Sequence, residues 1–221
     1  MTLIEKVEHK IHEQFLGECT GHDWHHIKRV WRMAKYIQER EGGNCEIIEL
    51  AALLHDISDY KFNGGDLDKG GEVAFDLLME LGAEELIASK VRYIVENVSY
   101  KGANTAAEMN TLEGQIVQDA DRLDAMGAIG IARTFAYGGS RGQSIYEPSL
   151  SVNLHDSFEA YAKSETSTIN HFYEKLLLLK NRLNTPTAIE IGEERHIIME
   201  GFLKQFHNEW DFNVIELKNG Q

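Results

Sequence analysis

The chain has 221 residues, a hydrophobic fraction of 43% and a formal net charge of −14. That length suffices for a buried core. Such an acid excess argues against docking on a nucleic-acid polymer, which needs a basic face that releases counterions. Two cysteines without a close pair give neither a disulfide framework nor a thiolate zinc site.

No run of apolar residues is long enough to span a bilayer, and the charged N-terminal stretch lacks the apolar core of a secretory signal. The expectation is a cytoplasmic protein with no membrane partner. Two prolines and repeated apolar spacings of three and four predict an all-α fold, read as a single helical domain over 1–221. A first helix is expected at about 3–16. A second begins at Asp23, whose carboxylate caps the free N–H groups of the first turn, and stops at Gly42-Gly43. A third, IIELAALLHD, is apolar nearly all round and therefore buried, with His55-Asp56 at its end.

Glycines 64, 65, 70 and 71 predict a loop, followed by helices over 71–82 and 84–98. From Ile116 through Ala120, Leu123 and Gly127 an apolar stripe runs to a break at Gly138-Gly139. The Gly/Ser-rich region 137–164 is the least regular and the candidate for a flap. Phe172, Leu176, Leu179 and Leu183 then repeat at steps of four and three. Thr185-Pro186 starts a last helix with Ile191, Ile198, Phe202 and Phe206 along one face. The C-terminal helical part spans 165–212.

Three segments within 20–130 carry chemistry. GHDWHHIKRV brings His22, His25 and His26 together, with His26 and Arg29 on one helix face. LAALLHDISD ends a buried helix with an imidazole and a carboxylate, which converge on a single point only near a helix end. QDADRLDAMG sets Asp119, Asp121 and Asp124 among small apolar residues, where carboxylates call for a cation. A mixed His/Asp set suits Mn, Fe, Co, Zn, Ni or, less well, Mg.

In this order the three segments resemble the HD-domain superfamily of metal-dependent phosphohydrolases, and the resemblance runs on through GGSRGQ, HFYEKLLLLK and TAIEIGEERHIIMEGF. It implies one divalent ion held by His26, His55, Asp56 and Asp121, with His55 and Asp56 at the catalytic centre. His25 is then a surface group or one that supports a ligand from behind, Asp23 a helix cap, Asp119 a solvated group, and Asp124 a residue one turn from Asp121 that stands behind a ligand. The doublet His155-Asp156 falls outside the ligand set. VRYIVENVSYKG contains no histidine for a second ion, although Glu96 or Asn97 could approach the first through water.

The ion would lower the pKa of its water from about 15.7 toward 7 and polarise a phosphoryl oxygen. Phosphoryl transfer also needs positive charge. His171 and Lys175 are implied phosphate contacts, followed by Lys61, while Asp59 could orient the attacking water or cap a turn. Arg29, Arg122, Arg133, Arg141 and Lys163 are further candidates for substrate binding. Phe62, Phe135, Tyr137 and Tyr146 could stack a base or fill the core. The implied substrate is a nucleotide, with a nucleoside triphosphate cleaved to monophosphate and pyrophosphate leading. The alternatives are a monophosphate phosphomonoesterase and a non-catalytic sensor of metal and nucleotide.

Overall fold

The computed structural model describes residues 1–15, 23–57, 69–98, 109–153 and 166–212. Among these residues every regular element is helical. In chain order they are α1 (Leu3–Gln14), α2 (Trp24–Glu41), α3 (Cys45–Leu54), α4 (Lys69–Glu80), α5 (Glu85–Val98), α6 (Leu112–Asp124), α7 (Gly127–Ser140) and α8 (Thr168–Glu174). A 3-10 helix, Leu176–Arg182, and α9 (Pro186–Trp210) complete the set. The all-α expectation holds, and none of the helices is long and apolar enough to cross a membrane.

The hub is α3. Every residue from Ile47 to Leu54 is buried, as an all-round apolar sequence requires. It packs against α1, α2, α5 and α6. Its one buried acid, Glu49, accepts hydrogen bonds from Trp31 Nε1 at 2.8 Å and Cys45 Sγ at 3.2 Å, and pairs with Lys35 Nζ at 3.0 Å. The helix starts and stops are chemically explicit. Thr2 and Glu5 form a capping box on α1, and Asp23, Asn44, Thr111, Ser167 and Thr185 accept N–H groups at the starts of α2, α3, α6, α8 and α9.

Four expectations need correction. Gly70 and Gly71 lie in the first turn of α4 rather than in a loop. A Cβ on Gly71 would sit 2.3 Å from Glu96 Cγ, so the glycine lets α4 approach α5 closely. The stripe beginning at Ile116 is two helices: Gly127 adopts a φ of +67°, and the chain turns there before α7 runs through Gly138-Gly139 to Ser140.

The step pattern from Phe172 is likewise not one α-helix. Lys175 leaves helical geometry at φ −140°, and the 3-10 helix that follows buries Leu176 and Leu179 at a spacing of three, which is its own period. On α9 the buried stripe is Ala188, Gly192, Met199 and Leu203, whereas Ile198 is 48% exposed. Phe202 and Phe206 do pack inward, beside Phe172, Phe135 and Tyr146.

Candidate metal centre

Three helices bring their ends or middles to one point. At the start of α2 the Asp23 carboxylate accepts the His26 N–H at 2.8 Å, which fixes the first turn and aims His26 inward, while His25 stays exposed. His55 follows the last residue of α3 with helical dihedrals (φ −58°, ψ −31°), and Asp56 comes next. From α6 comes Asp121. His26 Nε2 lies 3.3 Å from Asp56 Oδ2 and 3.6 Å from Asp121 Oδ1; His55 Nε2 lies 3.4 and 3.8 Å from the same oxygens. The two Nε2 atoms are 3.2 Å apart.

Proton bookkeeping shows what this cluster lacks. His55 Nδ1 is 2.8 Å from the Ala52 carbonyl, which cannot donate, so that nitrogen carries the proton. His26 Nδ1 is 2.7 Å from Asp124 Oδ2 and carries its proton for the same reason. In the neutral rings both Nε2 lone pairs therefore face each other and two carboxylates. Such a set calls for a cation. Burial pulls the His26 imidazole down, but hydrogen bonds to Asp124 and Asp56 push it up overall, as expected where positive charge is favoured. Donors about 2.0–2.2 Å from a common ion stand roughly 3.0–3.5 Å apart, close to the observed spacings. His26, His55 and Asp56 alone already form a group able to hold an ion.

Behind the cluster, Asp124 does more than its place one turn from Asp121 suggested. Besides His26 it accepts from Arg29 Nε at 2.7 Å, Arg29 Nη2 at 3.0 Å and Arg133 Nη1 at 2.9 Å. Burial raises its carboxyl, but His26 and Arg29 hold it well below the usual carboxylate range. It stays ionised and fixes the His26 tautomer. Replacing it by asparagine keeps an acceptor and removes the charge; Asp124→Asn is expected to lower divalent-metal affinity about 10–100-fold. Chelator competition measures this, and unchanged affinity would refute the role given to the carboxylate.

Asp119 is not solvated. It is fully buried and accepts four hydrogen bonds, each of 2.8 Å, from the backbone N–H and Nδ2 of Asn184 and the N–H and Oγ1 of Thr185. Two residues along a helix turn the side chain by about 200°, so Asp119 and Asp121 face opposite ways. That periodicity was the available signal; the partner segment, 65 residues away, gave none.

Of the expected substrate-binding groups, Arg29 and Arg133 engage Asp124. Arg122 is 8% exposed and donates to the Arg182 carbonyl, which ties α6 to the 3-10 helix. Arg141 is exposed at the end of α7, its guanidinium 5.9 Å from the Tyr137 ring centroid. His171 and Lys175 are one turn apart at the end of α8. Burial first, and Lys175 second, push His171 down to about 3, so near neutrality it offers hydrogen bonds and Lys175 the charge. Phe135 packs against Phe172 and Phe202, and Tyr146 against Phe206, His207 and Trp210. Asn97 Nδ2 donates to the Tyr93 carbonyl, and Glu96 pairs with Arg92. His22, Asp59, Lys61, Phe62, His155, Asp156 and Lys163, and the later part of the 137–164 segment, lie outside the described residues.

The HD domain family matches residues 23–126, the stretch that contains all four clustered side chains. A Bacillus thuringiensis structure described as an HD-superfamily hydrolase is 42% identical, with a TM-score of 0.71, over 94% of this chain and 96% of its own. The chain belongs to the HD-domain phosphohydrolase superfamily. Among other HD relatives, the uncharacterized protein YpgQ of Bacillus subtilis is 38% identical over 206 residues, 93% of this chain and 92% of its own length. The crystal structure of YpgQ in complex with ADP superposes with a TM-score of 0.72, covering 93% of this chain and 97% of that one at 32% identity. A Lactobacillus plantarum structure reaches a TM-score of 0.85 at 33% identity, covering 96% and 99%. The fold of this HD chain is thus that of hydrolases, which agrees with the expected class.

Proposed function

We propose that this HD chain is a metal-dependent phosphohydrolase acting on a nucleotide, with a nucleoside triphosphate cleaved to monophosphate and pyrophosphate. The observation that carries this reading is the convergence of two imidazole Nε2 atoms 3.2 Å apart, each 3.3–3.8 Å from a carboxylate oxygen of Asp56 and of Asp121. His26, His55, Asp56 and Asp121 would hold one divalent ion. When bound, it would acidify a coordinated water near neutral pH and draw charge from a phosphoryl oxygen.

The protein's own contribution is orientation and exclusion. The Ala52 carbonyl and Asp124 lock both rings in the tautomer that offers Nε2. Both His side chains are 1% exposed, Asp56 14% and Asp121 31%, so the cluster opens to solvent on the carboxylate side, where a phosphoryl group and water can enter. Lys175 and His171 would supply charge and hydrogen bonds to phosphate, with Lys61 and Asp59 as further candidates for the reacting end. The ADP complex of YpgQ supports a nucleotide as ligand class. Cytoplasmic location fits such a substrate.

A panel of nucleoside mono-, di- and triphosphates with Mn, Co or Mg, with and without chelator, tests the reading. The expected outcome is metal-dependent release of pyrophosphate from a triphosphate. Release of orthophosphate from monophosphates would replace the reaction proposed by phosphomonoesterase action. Tight nucleotide binding with no turnover would make the chain a sensor.

A further inference from the structure

Beside Asp124, residues of α2, α6, α7 and α9 line an open concavity of about 260 Å³. Its wall includes Arg29, Arg32, Arg195, Tyr36, Ile129 and Asp124. Three arginines and one aspartate thus line it; of the arginines Arg29 pairs with that carboxylate, which is also shared with His26 and Arg133. In a chain of net charge −14, three arginines around one concavity stand out as a local excess of positive charge, the kind of feature that favours an anion.

The donors are also poorly consumed. Arg29 spends Nε and Nη2 on Asp124, and Arg195 gives Nη1 to the Leu123 carbonyl. Arg32 is exposed and has no carboxylate partner among the described residues. Each guanidinium carries five N–H donors in a planar fork that matches a phosphoryl group. Burial pushes the Arg195 guanidinium down, and the nearby Asp124 charge only partly offsets it, so a second anion would relieve it. Pockets for larger organic ligands run from about 300 to 1,000 Å³. This smaller cavity suits a phosphate or diphosphate group rather than a whole nucleotide.

We propose that the cavity is a second anion site, distinct from the metal cluster, which binds the phosphoryl group of a small molecule through Arg29, Arg32 and Arg195. The assignment is independent of the phosphohydrolase reading. Inorganic phosphate titrated calorimetrically into the purified, metal-supplemented chain tests it. The expected result is binding that survives Asp56→Asn, weakens at least about fivefold in Arg32→Gln (about 1 kcal/mol), weakens further in Arg195→Gln and is unchanged in Lys28→Gln. Lys28 removes a positive charge from α2 away from this cavity.

Arg32 is exposed, so Arg32→Gln keeps the test interpretable should Arg195→Gln fail to fold. Phosphate binding abolished by Asp56→Asn but indifferent to Arg32→Gln would assign the anion to the metal cluster and overturn the proposal. Absence of binding at millimolar phosphate, or equal weakening in Lys28→Gln, would overturn it as well.

Discussion

His55→Ala and Asp56→Ala will each strip the chain of its divalent ion and its turnover while leaving the far-UV helical signal near that of the unmodified protein. Both side chains are aimed at the cluster, and among the described residues His55 gives the core one side-chain hydrogen bond, to Ala52. Metal affinity should fall by more than about 100-fold, beyond what loss of a supporting hydrogen-bond partner costs. The same pair of measurements fixes the register in the first motif. His26→Ala should lose the ion, since its Nε2 stands 3.3 Å from Asp56 and 3.2 Å from His55 Nε2. His25→Ala should keep it, because His25 is exposed on the neighbouring helix face. Elemental analysis after gel filtration gives the metal content. An ion retained in His26→Ala and lost in His25→Ala would move the ligand one residue and dismantle the cluster described above.

The largest loss of stability is expected elsewhere, at Asp119→Ala. Thr185 is 2% exposed, and both its N–H and its hydroxyl donate to this carboxylate. Truncation strands these groups at about 1–3 kcal/mol each, and it also frees the Asn184 end of the junction. For a chain of this size such a loss lowers the melting midpoint on the order of 10 °C. Asp119→Asn, which keeps one acceptor oxygen, should fall between the two. Thermal unfolding of the metal-free proteins isolates this effect from ion binding; a shift in Asp119→Ala no larger than that of an ordinary surface substitution would show the junction to be dispensable.

Legibility in the sequence followed the range of the interactions. Helix caps such as Asp23 and Thr185 act within one turn, so their residues announce them locally. The burial of residues 47–54 in α3 was equally plain, because a stretch apolar nearly all round has no solvent face. The four clustered donors could be named from their motifs, yet periodicity alone placed none of them in contact; His26 meets Asp124 across 98 residues. What stayed hidden was decided by unmarked tertiary partners. Asp119 looks like its acidic neighbours until Asn184 and Thr185 arrive. Nothing near Arg122 in the sequence marks the Arg182 carbonyl to which it donates. The turn at Gly127 was masked by the apolar residues on either side, although its positive φ is the reason a glycine stands there.

The wide spacing of the donors along the chain bears on synthesis. A bond closing 98 residues cannot form while α6 is still being translated. Loop closure over such a span is an entropic cost met only once the helices between have collapsed around α3. A nascent chain therefore presents isolated histidines and carboxylates, weak chelators each, and assembles the candidate metal centre only at the end of folding. On the proposed reading, hydrolysis is thereby withheld from every unfinished copy.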